Sequence, residues 1–365
     1  MAERVLTTRE LNRALLARQL LLARSPLSLT RALEQVAGLQ TQYAPSAYIR
    51  LWSSLERFEL ADLTRALVRK RAVQATLMRS TIHVVSPGDY WPFSEGIGPS
   101  RQEWWLRTNR KQVGDADVDL DDLAARLSAE LAGKTWHRDE VDGLLRAHGA
   151  SIWTGAWVPL VRLPPAGTWE RRRADLFRLA AEWLGPSDSN EEQGLEHLLS
   201  RYLRGFGPAR LADAAGWAGV PVTKMRPAAE RLRLRTFRDE EGKVLLDLPR
   251  APLPDGDTPA PVRFLPTWDA TLLVHARRTQ ILPERFRPLV FHTKTPHSVN
   301  TFVVDGAVAG KWRVERAATK ATLLLEPFDA LSQAAERELR DEGERLVRFV
   351  EPDATAYAVR RGGST

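Results

Sequence analysis

Residues 208–248 run PARLADAAGWAGVPVTKMRPAAERLRLRTFRDEEGKVLLDL. Glycine and proline punctuate two helices here, at 208–218 and 221–232, with Val222 and Thr223 near the start of the second. Two short strands follow, 234–238 and 244–248, around the polar turn Asp239-Glu240-Glu241-Gly242-Lys243. Two helices joined by a tight turn and followed by a β-hairpin form the winged version of the helix-turn-helix.

The same order of elements recurs upstream. In the first 112 residues, helices are expected after Thr8 (the stripe Leu11, Leu15, Leu16, Leu20), at 28–37 with Gly38 as the stop, from Pro45 through Trp52 and Leu55, and at 59–70. Strands at 73–78 and 81–85 then make a hairpin, and helices at 86–95 and 99–108 close the unit. A polar break at 110–117 leads to helices at 120–131 and 136–148 and a wing at 161–171. Residues 185–190 link this unit to the third, which opens with a helix at 194–203. The repeat is one of element order only, yet three occurrences say more than one.

Past a proline-rich linker at 250–261 the chain changes character, with strands expected at 272–276, 301–304, 307–314 and 322–325 and a long helix at 331–349. Asp305-Gly306 marks a hairpin turn. The predicted class is therefore α+β: three tandem winged-helix units, 1–112, 113–187 and 188–250, followed by a β-rich C-terminal domain, 260–365.

Composition narrows the function. The 53 Lys and Arg against 46 Asp and Glu give a net charge of +7, and all but eight of the basic residues are arginines. Arginine suits bidentate contact with phosphates and base edges, so a polyanionic partner is favoured. With no cysteine, disulfides, thiolate zinc sites and iron–sulfur clusters are excluded. The seven histidines make no close ligand pair, and there is neither a phosphate-binding P-loop nor a dinucleotide fingerprint; no metal and no cofactor is expected. The N-terminus does not read as a signal peptide and no long apolar run is present, so a cytoplasmic location without membrane or protein partner is the expectation.

Gly38-Leu39-Gln40-Thr41-Gln42-Tyr43 sits between two helices. Gln40 and Gln42 are two apart, so extended backbone points both amides to one side, where they could hold a water and a sugar oxygen. Taken alone, the pattern is better explained by amides that cap helix ends or meet solvent.

These residues resemble the AlkZ family of bacterial DNA glycosylases, which carry a glutamine–apolar–glutamine or glutamine–apolar–aspartate motif in such a region. The likeness extends through Leu11-Asn12-Arg13, Arg79-Ser80-Thr81-Ile82-His83, the run 202–209 (YLRGFGPA) and Phe264-Leu265-Pro266-Thr267-Trp268-Asp269. Thr41 departs from it, standing where an apolar residue is usual. The family fold is three tandem winged helices and a β-rich domain. Its double-glutamine members unhook interstrand crosslinks joined through purine N7, such as those of azinomycin. The resemblance implies a monofunctional glycosylase acting on duplex DNA at cationic N7- or N3-alkylpurines, with Gln40 and Gln42 catalytic. A cationic purine departs without a protonating acid, so neutral amides suffice to orient water at an oxocarbenium-like sugar. Glu34 is a candidate assisting acid. A crosslinked base is tethered and cannot flip fully, so its bond is reached through a groove.

Other residues carry open alternatives. Arg79, Thr81 and His83 alternate along an expected strand and should share a face, as phosphate and sugar contacts or as hydrogen-bonded wing residues. Tyr43 and Tyr48 serve base stacking or, preferably, packing. Lys224 and Arg226, in the third unit's recognition helix, and Arg277 and Arg278, in a hairpin loop, are candidate DNA contacts or solvated charge. Trp268 is a core residue or a base platform, and Asp269 a turn residue, an ion-pair partner or a catalytic neighbour. Two rivals compete with the enzyme: a non-catalytic winged-helix transcriptional regulator, which binds duplex without releasing bases, and an architectural module with weak DNA affinity.

Overall fold

In this computed structural model residues 4–113, 119–147, 158–273, 278–291 and 298–362 are described. The chain opens with strand β1 (Val5–Leu6) and helix α1 (Thr8–Arg18). Thr7, one residue before the expected cap, begins the helix: its Oγ1 accepts from Glu10 N at 3.2 Å while Glu10 Oε2 accepts from Thr7 N at 2.8 Å. Helix α2 (Leu29–Val36), strand β2 (Leu39–Gln40), helices α3 (Pro45–Ser54) and α4 (Leu60–Val68), and strands β3 (Val73–Thr76) and β4 (Ile82–Val85) follow the expected order.

Two helices were expected next, but a single one forms, α5 (Pro87–Val113), which runs straight through Pro92 and Pro99. A proline inside a helix costs about 3 kcal/mol. Here it is outweighed because Tyr90, Phe93, Ile97 and Trp105 are all buried, each worth roughly 1.5–3 kcal/mol. Helix α6 (Leu120–Leu131) is as expected. Trp136, placed in a helix by its spacing, instead starts strand β5 (Trp136–His137), because it pairs with Phe177; helix α7 (Arg138–Ala147) begins only after it.

The hairpins expected as the first two wings are not separate. Strands β6 (Leu160–Arg162) and β7 (Leu176–Leu179) join the first unit in one six-stranded sheet of order β2-β4-β3-β6-β7-β5, with Ala75 opposite Val161 at the seam. Helix α8 (Ala180–Leu184) leads to α9 (Glu191–Phe206), which Asn190 caps, so this helix starts earlier than the expected 194. Helices α10 (Leu211–Ala218) and α11 (Val222–Arg231) and strands β8 (Arg235–Asp239) and β9 (Val244–Asp247) realise the order read from 208–248. β1 adds to that hairpin in parallel, Val5 opposite Arg238, so the N-terminus is tied to the hairpin that precedes the linker at 250–261.

The C-terminal strands β10 (Arg263–Leu265), β11 (Thr301–Val304), β12 (Ala307–Ala317), β13 (Lys320–Pro327) and β14 (Ala356–Arg361) form a sheet in that order. The short helix α12 (Arg287–Val290) precedes β11, and α13 (Gln333–Val350) carries the chain from β13 to its parallel neighbour β14. Asp305 and Gly306 both have positive φ (46° and 82°), as a tight hairpin turn demands. The strand expected at 272–276 does not start: Leu272 and Leu273 are buried outside any strand, and 274–276 lie outside the described residues.

One core joins α5, α9 and α10 through Phe93, Leu198, Tyr202 and Trp217. A second packs α2–α4 against the C-terminal sheet and α13 through Tyr48, Trp52, Phe264, Trp312 and Leu346. The site region is held where α5 and α9 cross at Gly96 and Gly194. A Cβ on Gly96 would stand 2.6 Å from the Gly194 carbonyl carbon. Gly194→Val is therefore expected to lower folding stability by about 3 kcal/mol, because backbone on both sides must move. An unchanged urea midpoint would show that the crossing has slack.

Candidate active site

The helix α2 ends with Ala37 in the left-handed region, and the chain turns into β2, where Leu39 and Gln40 pair with Val84 and His83 of β4. The ladder continues one rung further, from Thr41 N to Ile82 O at 2.7 Å. Its next rung is a side chain: Gln42 Oε1 accepts from Ile82 N at 2.9 Å. Thr41 is buried, and its hydroxyl accepts from Gln74 Nε2 at 3.1 Å, which satisfies the polar group that departs from the apolar pattern.

Opposite Gln40 stands the turn between β3 and β4. Arg79, Thr81 and His83 were expected along one strand face, but Met78–Ser80 is a 3-10 turn with Arg79 and Ser80 both at positive φ (54° and 55°). Such a backbone costs about 1–3 kcal/mol per residue and persists only where surroundings impose it. They do so here: Ser80 N bonds Leu77 O at 3.0 Å, Thr81 Oγ1 donates to Met78 O at 2.9 Å, and Arg101 donates to Leu77 O. Gly219 (φ +81°) lies against the turn so closely that a Cβ there would be 3.0 Å from Arg79 N. The result aims the Arg79 guanidinium at Gln40 Oε1 (2.9 Å) and at the Trp217 carbonyl. Burial pulls Arg79 down to about 10, so it stays a cation at neutral pH.

Gln42, Arg79, Ser80 and Thr81 line a cleft of about 610 Å³ with Ser100, Arg101, Glu103, Trp104 and Arg107 of α5 and residues 218–221 after α10. Gln42 is exposed; Gln40 is 6% exposed and reaches the cleft through Arg79. Trp104 is 40% exposed and, with Val220 and Pro221, forms an apolar wall, while Arg107 adds an exposed cation. None of these α5 residues was singled out from the sequence. Their spacing, 100, 103, 104 and 107, is that of one face of the helix expected at 99–108, but nothing in that local pattern says that residues 42, 79–81 and 218–221 pack opposite it.

The remaining candidates scatter. His83 is buried on β4, with Nδ1 3.0 Å from Thr81 O, too enclosed to touch phosphate. Burial, with the Arg79 and Arg101 charges adding to it, pushes its pKa down to about 3. Folded His83 is thus neutral, whereas in the unfolded chain it titrates near 6.5. The unfolded chain binds the extra proton between pH 3 and 6.5; this contribution to stability is complete above about pH 6.5 and declines as pH falls through that window. His83→Gln should flatten the fall in urea midpoint between pH 7 and 4.5, and an equally steep fall in the variant would assign it elsewhere.

Lys224 bonds Glu103 (2.8 Å) and Glu191 (3.3 Å), so its charge is offset within the protein; Arg226 is exposed on α11. Arg278 is buried, with Nη2 3.1 Å from Tyr202 Oη and its guanidinium over Phe206, at the wall of a separate cleft of about 390 Å³. Arg277 lies outside the described residues. Tyr43, for which packing was preferred, is 40% exposed and accepts from Arg172 Nη1 at 2.8 Å; Tyr48 is fully buried. Asp269 is both a turn residue, accepting from Thr271, and an ion-pair partner, 2.9 Å from buried Arg50. Half-buried Trp268 takes a left-handed backbone (φ 64°), its N–H on Ser298 Oγ at 2.8 Å. Glu34 pairs with Arg31 on α2, outside the cleft lining. Among the described residues no group of three or more His, Cys, Asp or Glu could hold a metal ion, and no helix is long and apolar enough to cross a membrane.

Comparisons with known proteins agree on one kinship. A family model described as DNA glycosylase AlkZ-like matches residues 33–349. Among solved structures, the Streptomyces sahachiroi DNA glycosylase AlkZ superposes with a TM-score of 0.80, covering 98% of this chain and 100% of that one at 18% identity, a likeness of fold. No curated protein matches the chain.

Proposed function

Since this chain belongs to the AlkZ-like DNA glycosylase family, we propose that it is a monofunctional DNA glycosylase. In this reading it hydrolyses the N-glycosidic bond of cationic N7- or N3-alkylpurines in duplex DNA and unhooks crosslinks joined through those atoms, azinomycin adducts among them. The observation that carries the proposal is a solvent-open cleft lined by Gln42 and by Arg79, whose guanidinium holds the buried Gln40 amide directly behind it. The domain reading belongs to the same proposal: winged-helix units over 1–112, 113–187 and 188–250 present the duplex to that cleft, and 260–365 braces the first of them.

The chemistry follows from the residues. The C1′–N9 bond breaks with its electron pair passing to the purine, whose positive charge is thereby neutralised. Water adds to C1′ and gives up a proton to solvent. Little acid–base work is needed, which suits a site built on amides and arginines whose lining carboxylate, Glu103, is paired with Lys224. Trp104 offers a surface against which an exposed purine stacks, and Arg107 supplies charge for the backbone.

The test is incubation with a duplex holding one N7-methylguanine and with a duplex crosslinked through N7. Free base and an alkali-labile abasic site are expected from the first, separable strands from the second. A protein that binds both duplexes tightly and releases nothing is a regulator instead.

A further inference from the structure

We infer that Arg79 is a positioning residue that sets which end of the Gln40 amide faces substrate, making Gln40 a hydrogen-bond donor to the departing purine and leaving water to Gln42. This rests on the glycosylase reading above and assigns the two amides different tasks.

A guanidinium only donates, so the Gln40 atom 2.9 Å from Arg79 Nη2 is the amide oxygen. The NH2 end then points the other way. Among the described residues nothing accepts from it, and it is not among the sealed polar atoms left without a partner. Arg79 is itself immobilised. Its left-handed backbone, the Trp217 carbonyl and the close approach of Gly219 leave it one direction. The guanidinium charge held against the amide oxygen weakens that oxygen as an acceptor for other donors and strengthens the amide N–H groups as donors. As the glycosidic bond breaks, electron density flows into the purine, whose ring nitrogen and carbonyl acceptors gain basicity. A fixed donor at that edge stabilises the transition state more than the ground state.

Gln42 is built differently. Its oxygen bonds a neutral backbone N–H, it is exposed, and a carboxylate would accept from Ile82 N equally well. The two positions should therefore respond unequally to the same substitution.

The experiment compares Gln40→Glu, Gln42→Glu, Gln40→Ala, Arg79→Met and the Arg79→Met/Gln40→Ala double variant. Single-turnover release of 7-methylguanine and affinity for unmodified duplex are measured separately. Gln40→Glu keeps an ion pair with Arg79 and folds, yet lacks a donor, and should lose about 10²-fold in rate. Gln42→Glu should lose about tenfold, well short of the loss at Gln40. Arg79→Met should fall as far as Gln40→Ala, and the double variant no further, the sign of two residues acting as one unit. Gln40→Glu at or above the wild-type rate, or additive losses, overturns the assignment. A readout independent of catalysis is the Gln40 side-chain amide pair in 1H–15N spectra of DNA-free protein. It should move toward free-glutamine shifts in Arg79→Met, and an unchanged pair means there is no tether. A wild-type protein that releases no purine overturns the glycosylase reading and the donor role with it, while the spectra still decide the tether.

Discussion

Gln42→Ala should lower single-turnover purine release from an N7-methylguanine duplex by about 10²-fold or more, with duplex affinity and folding stability nearly unchanged. The separation of effects follows from position. Gln42 is exposed at the cleft mouth and has one structural bond, to Ile82 N. Removing it lets solvent reach that N–H, so the penalty of a buried unpaired donor does not arise and the stability change stays near or below about 1 kcal/mol. In the proposed function, undamaged duplex is held by exposed cations, for which Arg107 and Arg226 are candidates, and the substitution leaves these alone. A loss in affinity equal to the loss in rate would mean that Gln42 holds DNA and does no chemistry.

The largest expected structural effect lies elsewhere. Arg18 and Asp247 are both fully buried and pair in bidentate fashion, Nη1 to Oδ1 at 2.6 Å and Nη2 to Oδ2 at 3.0 Å. Arg18 also donates to the carbonyls of Leu203 (3.0 Å) and Pro252 (2.9 Å), and Asp247 accepts from Arg235 at 2.7 Å. This cluster ties α1 to α9, β9 and the linker after it. Asp247→Ala strands a guanidinium in the interior and should cost about 3–5 kcal/mol, whereas Arg18→Met/Asp247→Leu, which removes both charges, should recover most of that loss. Urea denaturation followed by tryptophan fluorescence decides it. A single variant within about 1 kcal/mol of wild type would show that water reaches the pair.

How much of this was legible in the chain depends on the range of the interaction. The helices and hairpin of 208–248, the Asp305-Gly306 turn and α13 are written in local punctuation and periodicity, and each forms within a few residues of its expected bounds. The parallel pairing of Val5 with Arg238 and the seam between β3 and β6 join distant segments whose local patterns carry no address for one another. The glutamine motif was legible because its spacing and its neighbours resemble a family. The cleft around it was not, since its walls come from four separate segments. The strand face drawn through Arg79, Thr81 and His83 failed for a specific reason. Alternation assumes extended backbone, and packing against Gly219 and Arg101 imposes a left-handed turn on two residues with no intrinsic preference for it. Charge was equally misleading at Arg278 and Lys224, whose partners Tyr202 and Glu103 are remote in sequence.

The most direct test places a transition-state mimic in the site. A cationic azasugar at the lesion position of a duplex imitates the oxocarbenium-like sugar, and its complex with this protein can be solved. The expected structure has the azasugar within hydrogen-bond reach of Gln42, directly or through one water, with the Gln40 NH2 toward the base position and the duplex against the mouth of the Trp104–Gln42 cleft. An azasugar bound away from residues 40–42, with that cleft open and unvisited, would contradict the assignment of the chemistry to these amides.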